Sequence, residues 1–491
     1  MIRPLAIFCT VLVLMLGSTE GWSADFQTGL NAYKIGNYAT ALREFRPLGE
    51  QGDAFSQFNL GVMYDNGLGV TENNEEAVKW YKLSAEQGNA RAQNNLGVMY
   101  DHGEGVPEDD REAVKWHTLA AKQGIARAQF NLAVMYDNGW GVPKDDKKAV
   151  KWYKLAAEQG IANAEYNLAL MYENGWGVPK DDKTAVKWYK LASEQGIANA
   201  QYNLAVMYEN GWGVPKDDKK AVKWYKLVAE KGNATAQFNL GVMYRKGWGV
   251  PKDDKEAVKW YKLAADQGNA PAQFNLGVMY DKGEGLPEDD QEAVNWYRRA
   301  AEQGLVDAQL NLGLMYDNGL GVAGNDKEAV KWYLLAAKQG DADAQYNLGV
   351  MYRKGYGVSK DDMSRLYHAA VKWFRRAAEQ GHADAQFNLG LVYDNGLGVP
   401  EDNKEAAKWY RRAAELGDAD AQSNLGFMYA KGEGVLQNYV LAHMWSDIAS
   451  SNGSQTASQN KNIIEKKMSA SQIEGAQKLA RDCMEKSFKG C

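Results

Sequence analysis

The sequence predicts an all-α chain, a solenoid of stacked antiparallel helix pairs, and three observations predict it. One phrase returns every 36 residues, its Asn-Leu pair standing at Asn59, Asn95, Asn131, Asn167, Asn203, Asn239, Asn275, Asn311, Asn347, Asn388 and Asn424, with a single step of 41. Within each period the apolar residues have helical spacing, as in Ala128, Leu132, Met135 and Tyr136. Glycine and proline break each period at the same places, as at Gly139, Gly141, Pro143 and Gly160. Periods of roughly 20–50 residues belong to stacked supersecondary units, each of which keeps its apolar stripe dry only against its neighbours. The 491-residue length taken alone suggests about three domains. A repeat array is instead one quasi-linear domain of any length.

Residues 1–23 differ from everything that follows. Arg3 precedes a mostly apolar run from Leu5 to Leu16, too short to span a bilayer comfortably, and small residues lie near Ser23 and Ala24. This reads as a secretory signal peptide, and so as a periplasmic or secreted chain. Membrane association then arises only if that segment is left uncleaved. Residues 24–52 form a capping unit: Gly29 to Tyr33, Gly36-Asn37-Tyr38, Ala41-Leu42 and Phe45 describe a helix pair with a shorter turn.

The array proper occupies 53–453 as eleven units, the 41-residue one at 341–381. In residues 125–160 the first helix carries Ala128, Leu132, Met135 and Tyr136 on one face. Gly139 stops it, Gly141 turns the chain, and Pro143 prevents the helix from continuing. Asp145 N-caps the second helix, and Asp109 with Glu112, Asp253 with Glu256 and Asp289 with Glu292 have capping-box spacing. Ala149, Trp152, Tyr153 and Ala156 form the apolar face of that second helix, and Gly160 ends it. Ala128, Ala149, Ala156 and the Gly or Ala at position 133 let helices approach closely. The Trp of each unit then fills the core; burying it removes roughly 150–250 Å² from water, worth roughly 4–6 kcal/mol before entropy.

The extra residues around 361–370 fall in the loop before a second helix, either as a tolerated insertion or as a protruding contact element. Residues 454–491 close the array: Ser450 to Asn460 is polar and small and reads as a loop, and a final helix runs from Ser469 to about Lys486. Cys483 and Cys491 are the two cysteines beyond the signal segment and pair in an oxidising compartment, closing a short loop.

The phrases Ala-x-Ala-x-x-x-Leu-Gly-x-x-Tyr, Gly-x-Gly-Val and Ala-x-x-Trp-Tyr-x-x-Ala-Ala resemble the Sel-1-like repeat family, a branch of the tetratricopeptide repeat superfamily. The likeness covers roughly residues 53–451. It implies helix pairs wound into a right-handed superhelix, with the first helix of each pair lining the concave side. Together with the signal peptide it points to an adaptor or scaffold of the bacterial cell envelope, and a monomer is expected.

Chemistry is sparse. The five histidines share no spacing, no His/Cys cluster has zinc-ligand spacing, and Gly-x-Gly lacks both a preceding strand and the third glycine of a dinucleotide loop. Asp145-Asp146 reads as helix capping, without the ligand alternation of a calcium loop. Neither catalytic residues, nor a cofactor, nor a metal site is expected. Ser458-Gln-Asn-Lys461 matches the Ser-x-x-Lys of penicillin-recognising enzymes but lacks the Lys-Thr-Gly partner. The β-lactam-binding members of the Sel-1-like family carry a disulfide in each repeat, and this chain has none there. The net charge of −6 argues against nucleic acid as a partner.

A surface is more informative. Six residues after each Asn stand Asp65, Asp101, Asp137, Glu173 and Glu209, and one residue before it stand aromatics including Phe130, Tyr166 and Tyr202. The two rows are seven apart and share a helix face. They suggest a groove for a basic peptide segment, with the repeated Asn gripping its backbone. Trp140, Trp176, Trp212 and Trp248 fill the x of Gly-x-Gly in four consecutive units. They suggest an exposed patch that contacts a partner or stacks on an envelope glycan.

Overall fold

The computed structural model describes residues 24–359 and 363–491. The signal-peptide reading of residues 1–23 lies outside them, as do positions 361–362 of the insertion. All regular structure among the described residues is helical, in 26 helices. The chain divides into two compact units, one ending at Leu227 and the other running Val228–Cys491. The sequence suggested one continuous array. Repeats touch only their neighbours, so nothing in the pattern prevents such a division.

In the first unit, α1 (Ala24–Lys34) and α2 (Tyr38–Glu50) form the capping pair. Then α3 (Ala54–Asp65) and α4 (Asn74–Glu86), α5 (Ala90–His102) and α6 (Asp110–Lys122), and α7 (Ala126–Asn138) and α8 (Asp146–Glu158) set the pattern. The second unit repeats this alternation as far as the helix Tyr439–Ser451.

The local chemistry explains the elements. Asp145 N-caps α8, its carboxylate accepting from the Lys148 amide. Gly139 ends α7 in the left-handed region at φ 75°. Gly141 has φ 65°, and a Cβ there would stand 2.3 Å from the carbonyl oxygen of Asp110 at the start of α6. The second glycine is therefore required twice, by its own turn and by close contact with the preceding hairpin. The expected capping boxes form only in part. Asp109 and Asp253 cap their helices, but Glu112 and Glu256 reach forward to Lys115 and Lys259 at 2.9 and 3.3 Å. A full capping box occurs at Ser469 with Gln472.

Each core layer combines three helices. Ala77, Val78, Tyr81 and Ala85 of α4 meet Ala92, Leu96 and Met99 of α5, and Trp116 of α6 closes the layer. In the second unit Ala329, Val330 and Tyr333 meet Ala344, Leu348 and Met351 under Trp373. The deepest aromatic is the Tyr. Tyr81, Tyr189 and Tyr333 are fully buried, whereas Trp116 and Trp332 keep a 6% edge in solvent. Trp152 and Trp224 are only partly buried.

Two loop expectations are corrected. Residues 455–465 are helical, not a loop. Ser454 caps that helix, and Ala457 and Ile464, seven apart on one face, are buried. The described part of the insertion, from residue 363, is also helical. It lengthens its helix to 17 residues (Met363–Glu379) against 13 in its siblings, with Leu366 and Ala370 buried.

Candidate interaction surface

The acidic row lies on the first helices, half-buried, and four of its five carboxylates are tied to the Tyr sixteen residues later; at Asp101 that position is His117. Tyr81 donates its phenol to Asp65 at 3.0 Å, Tyr153 to Asp137 at 3.2 Å and Tyr225 to Glu209 at 2.6 Å. Tyr189 donates to Glu173. The next unit's Asn completes the network: Asn203 Nδ2 donates to the Tyr189 oxygen at 3.0 Å, and Asn95 and Asn167 donate to Tyr81 and Tyr153. A buried phenol must find partners, and here the acid before it and the Asn after it supply them. Burial, then the neighbouring carboxylate, raises the Tyr153 phenol far above its usual range. Burial also raises Asp65 and Asp137, while the phenol bond and, at Asp137, Lys144 pull them back. The Asn row is therefore partly committed inside the fold and is not simply a free peptide grip.

In the second unit the pattern continues at Asp281, Asp317 and Asp394 with Tyr297, Tyr333 and Tyr410. It is interrupted where Arg replaces the acid. Burial pushes Tyr261 up to about 12, with Arg245 beside it pulling it down, and Arg245 also pairs with Glu284 at 2.8 Å. Arg353 donates to Asn388 at 2.8 Å, and the residue sixteen-plus-insertion later is Phe374, which has no phenol to satisfy.

The aromatic row packs on the same tyrosines. Phe130 lies 6.0 Å from Tyr153, Tyr166 6.0 Å from Tyr189 and Tyr202 5.7 Å from Tyr225, centroid to centroid. Each ring is half-buried. Near the capping pair, Phe26, Leu30, Phe55, Phe58 and Ile125 line a groove of about 300 Å³ with Arg91 at its edge.

The loop tryptophans differ. Trp176 and Trp212 in the first unit are 49% and 48% exposed, and Trp248 in the second is 41% exposed. Trp140 is partly buried against the layer formed by α6 and α7.

One polar set was not assigned from the sequence. Gln93 donates to the Ala85 carbonyl at 3.0 Å and accepts from Gln123 at 2.8 Å. Gln129 does the same with Ala121 at 3.2 Å and Gln159 at 2.8 Å. These buried ladders bind one hairpin to the next; the Gln two residues before each repeated Asn, replaced by Glu165 in one unit, was the available signal.

Within the first unit one repeat breaks the Tyr pattern. His117 occupies the Tyr position, 1% exposed, with its Nδ1 unpartnered. Burial, with His102 nearby, lowers it to about 3, so it is neutral. A cavity of about 40 Å³ lies beside it, lined by Asp101, His102, Phe130, Asn131 and Trp140 among others.

At the C-terminal end Cys483 and Cys491 are disulfide-bonded, with Cα atoms 5.7 Å apart. Ser458 shares a 2.6 Å hydrogen bond with Ser450, and Lys461 pairs with Asp447 at 2.8 Å. The Ser-x-x-Lys residues thus take part in packing the helix Gln455–Glu465. No cluster of three metal-ligating side chains occurs among the described residues, and no helix there is long and apolar enough to cross a membrane.

Stacked helix pairs with a repeated surface define a helical-repeat protein of the interaction-scaffold class. A family model described as Sel1 repeat matches eleven consecutive segments, from 54–89 through 342–382 to 419–454, and the chain belongs to the Sel1 repeat family. A solved protective antigen of uropathogenic Escherichia coli strains, displaying an SLR fold, is 40% identical. The match covers 91% of this chain and 96% of that one, with a TM-score of 0.77. A Sel1 repeat protein from Oxalobacter formigenes is 36% identical over 63% of this chain and 89% of its own, with a TM-score of 0.51. No curated protein matches the chain. Sel1 repeat proteins are in general non-catalytic scaffolds for protein partners.

Proposed function

We propose that this protein is a scaffold or adaptor of the bacterial cell envelope that binds a basic partner segment along the first helices of its first unit. The observation that carries this reading is the row Asp65, Asp101, Asp137, Glu173 and Glu209, half-buried, with the half-buried aromatics Phe58, Phe130, Tyr166 and Tyr202 on the same first helices as four of them. The row holds five acids in five consecutive units, whereas Arg interrupts it in the second unit at Arg245 and Arg353. Each repeat adds a small contact, so affinity comes from engaging several at once. The apolar run of residues 5–16 as a secretory signal supports the envelope location.

The test must remove charge without breaking the fold. Asp65→Asn, Asp137→Asn, Glu173→Gln and Glu209→Gln together keep an oxygen to accept from each phenol. Anisotropy of a labelled lysine-rich peptide is expected to show at least tenfold weaker binding to this variant, with the wild type ignoring a glutamate-rich peptide. Equal binding by both proteins would overturn the reading.

Trp176 and Trp212, half-exposed on neighbouring loops, favour a second reading, stacking on envelope glycan. If it holds, wild type sediments with purified peptidoglycan and the Trp176→Ala, Trp212→Ala variant stays in solution.

A further inference from the structure

The unit at residues 90–125 carries His117 where the other repeats of the first unit carry Tyr, and that departure leaves a hole. In the flanking units the phenol oxygens of Tyr81 and Tyr153 occupy the space between an acid of one first helix and the Asn of the next. His117 is shorter. Its ring stacks over Gly97, where a Cβ would lie 2.8 Å from Nδ1, much as Tyr81 sits over Gly61. It does not extend as far as a phenol. The vacated space is the cavity of about 40 Å³ lined by His117, Asp101, His102, Asn131, Phe130 and Trp140.

That lining is selective. A water needs at least about 10–15 Å³ of such space, so the cavity accepts a group somewhat larger than one water. Its polar lining is the Asp101 carboxylate, which only accepts hydrogen bonds, with the Asn131 amide and the neutral His117 imidazole, each of which carries one acceptor atom beside its donor; His117 Nδ1 is buried without a partner. His102 Nδ1 lies 3.7 Å from Asp101. The apolar part of the lining includes two aromatic rings, Phe130 and Trp140. A carboxylate with acceptor-capable neighbours and flanking π faces suits a small cation carrying several N–H donors. Anions are disfavoured by Asp101, and an apolar group would leave the polar lining unsatisfied.

We propose that this cavity is a receptor for a single primary ammonium group, the lysine side chain of a bound segment. The proposal deepens the basic-segment reading above and rests on it for the identity of the occupant. It gives the partner one fixed register along the first unit, since the other repeats there fill the equivalent space with Tyr81, Tyr153, Tyr189 and Tyr225.

The experiment uses n-butylammonium chloride as the probe on the full chain, followed by NMR of the histidine ring signals. The expected result is a saturable shift of the His117 signals that n-butanol and sodium chloride at equal concentration do not produce. His117→Tyr restores the residue present in the sibling units, so it folds, and it should abolish the response. It should also weaken a peptide carrying a central lysine at least tenfold, while leaving its Nε-acetylated form unaffected. No saturable shift, an equal shift with n-butanol, or a His117→Tyr protein that binds the lysine peptide as wild type does would each overturn the site. If the site fails while charge removal on the acidic row still weakens the lysine-rich peptide, the surface reading stands alone. If the ammonium response appears while the row proves irrelevant, the cavity stands without it.

Discussion

The tyrosine of each second helix is where sequence and structure inform each other most at the level of single residues. Its ring is core and its hydroxyl is a joint between units. Tyr153→Phe removes the donor to Asp137 and the acceptor for Asn167 while leaving the packing intact. A net hydrogen bond is worth roughly 0.5–1.5 kcal/mol, and more when its partner is charged. The half-buried Asp137 can regain water, which limits the loss. Destabilisation of about 1–2 kcal/mol is expected in urea titrations followed by circular dichroism, against almost none for Lys154→Ala on the exposed face. A neutral result for Tyr153→Phe would show that the network only fills space. The acid, the aromatic and the Asn were each visible in the sequence, but their meeting at one phenol was not. Helical periodicity relates residues three to eight apart, whereas Tyr153 reaches Asp137 sixteen residues back and Asn167 fourteen residues on. Part of the signal was present in the repeats themselves: Phe374 accompanies Arg353 and Ser446 accompanies Ala430, but Tyr261 stays with Arg245 and His117 with Asp101.

At the level of elements, the hairpins were legible because caps and glycines act locally. Asn or Asp caps and left-handed glycines recur where the pattern placed them. The two misread loops share a cause. Residues 455–465 and 363–370 are rich in polar side chains, but a helix needs only a narrow apolar stripe, supplied there by Ala457 with Ile464 and by Leu366 with Ala370. The glycines also separate two effects. Gly160 has φ 81° with open space around its Cβ position, whereas Gly141 has φ 65° and faces the Asp110 carbonyl at 2.3 Å. Gly160→Ala therefore carries only backbone strain, about 1–2 kcal/mol. Gly141→Ala adds a clash with backbone that cannot swing aside, and at least twice that loss is expected in thermal melts. Equal losses would mean that the hairpins separate without cost.

At the level of the whole molecule, the nearest-neighbour character of the array makes position within it decisive. Excising residues 162–197 from the first unit joins Ile161 to Ala198 and recreates the Ile-Ala junction already present at Ile197-Ala198. Every remaining hairpin keeps a neighbour of its own kind, so the melting temperature should move by only a few degrees. The end of the second unit behaves differently. Ile464, Ala480 and Cys483 belong to the same core cluster as Trp445 and Ile448 of the helix Tyr439–Ser451. His443, fully buried, meets Glu465 at 2.9 Å. Ending the chain at Gly453 strips the cover from Trp445 and Ile448 and takes away the partner of His443. Uncovering large core side chains costs roughly 3–5 kcal/mol, and the exposed layer becomes adhesive. Calorimetry should show a second-unit transition that is lowered or lost to aggregation, although this truncation removes about as many residues as the excision. If the truncated chain melts as the full one does and the excised chain collapses, the stability of this protein does not reside in contacts between successive hairpins.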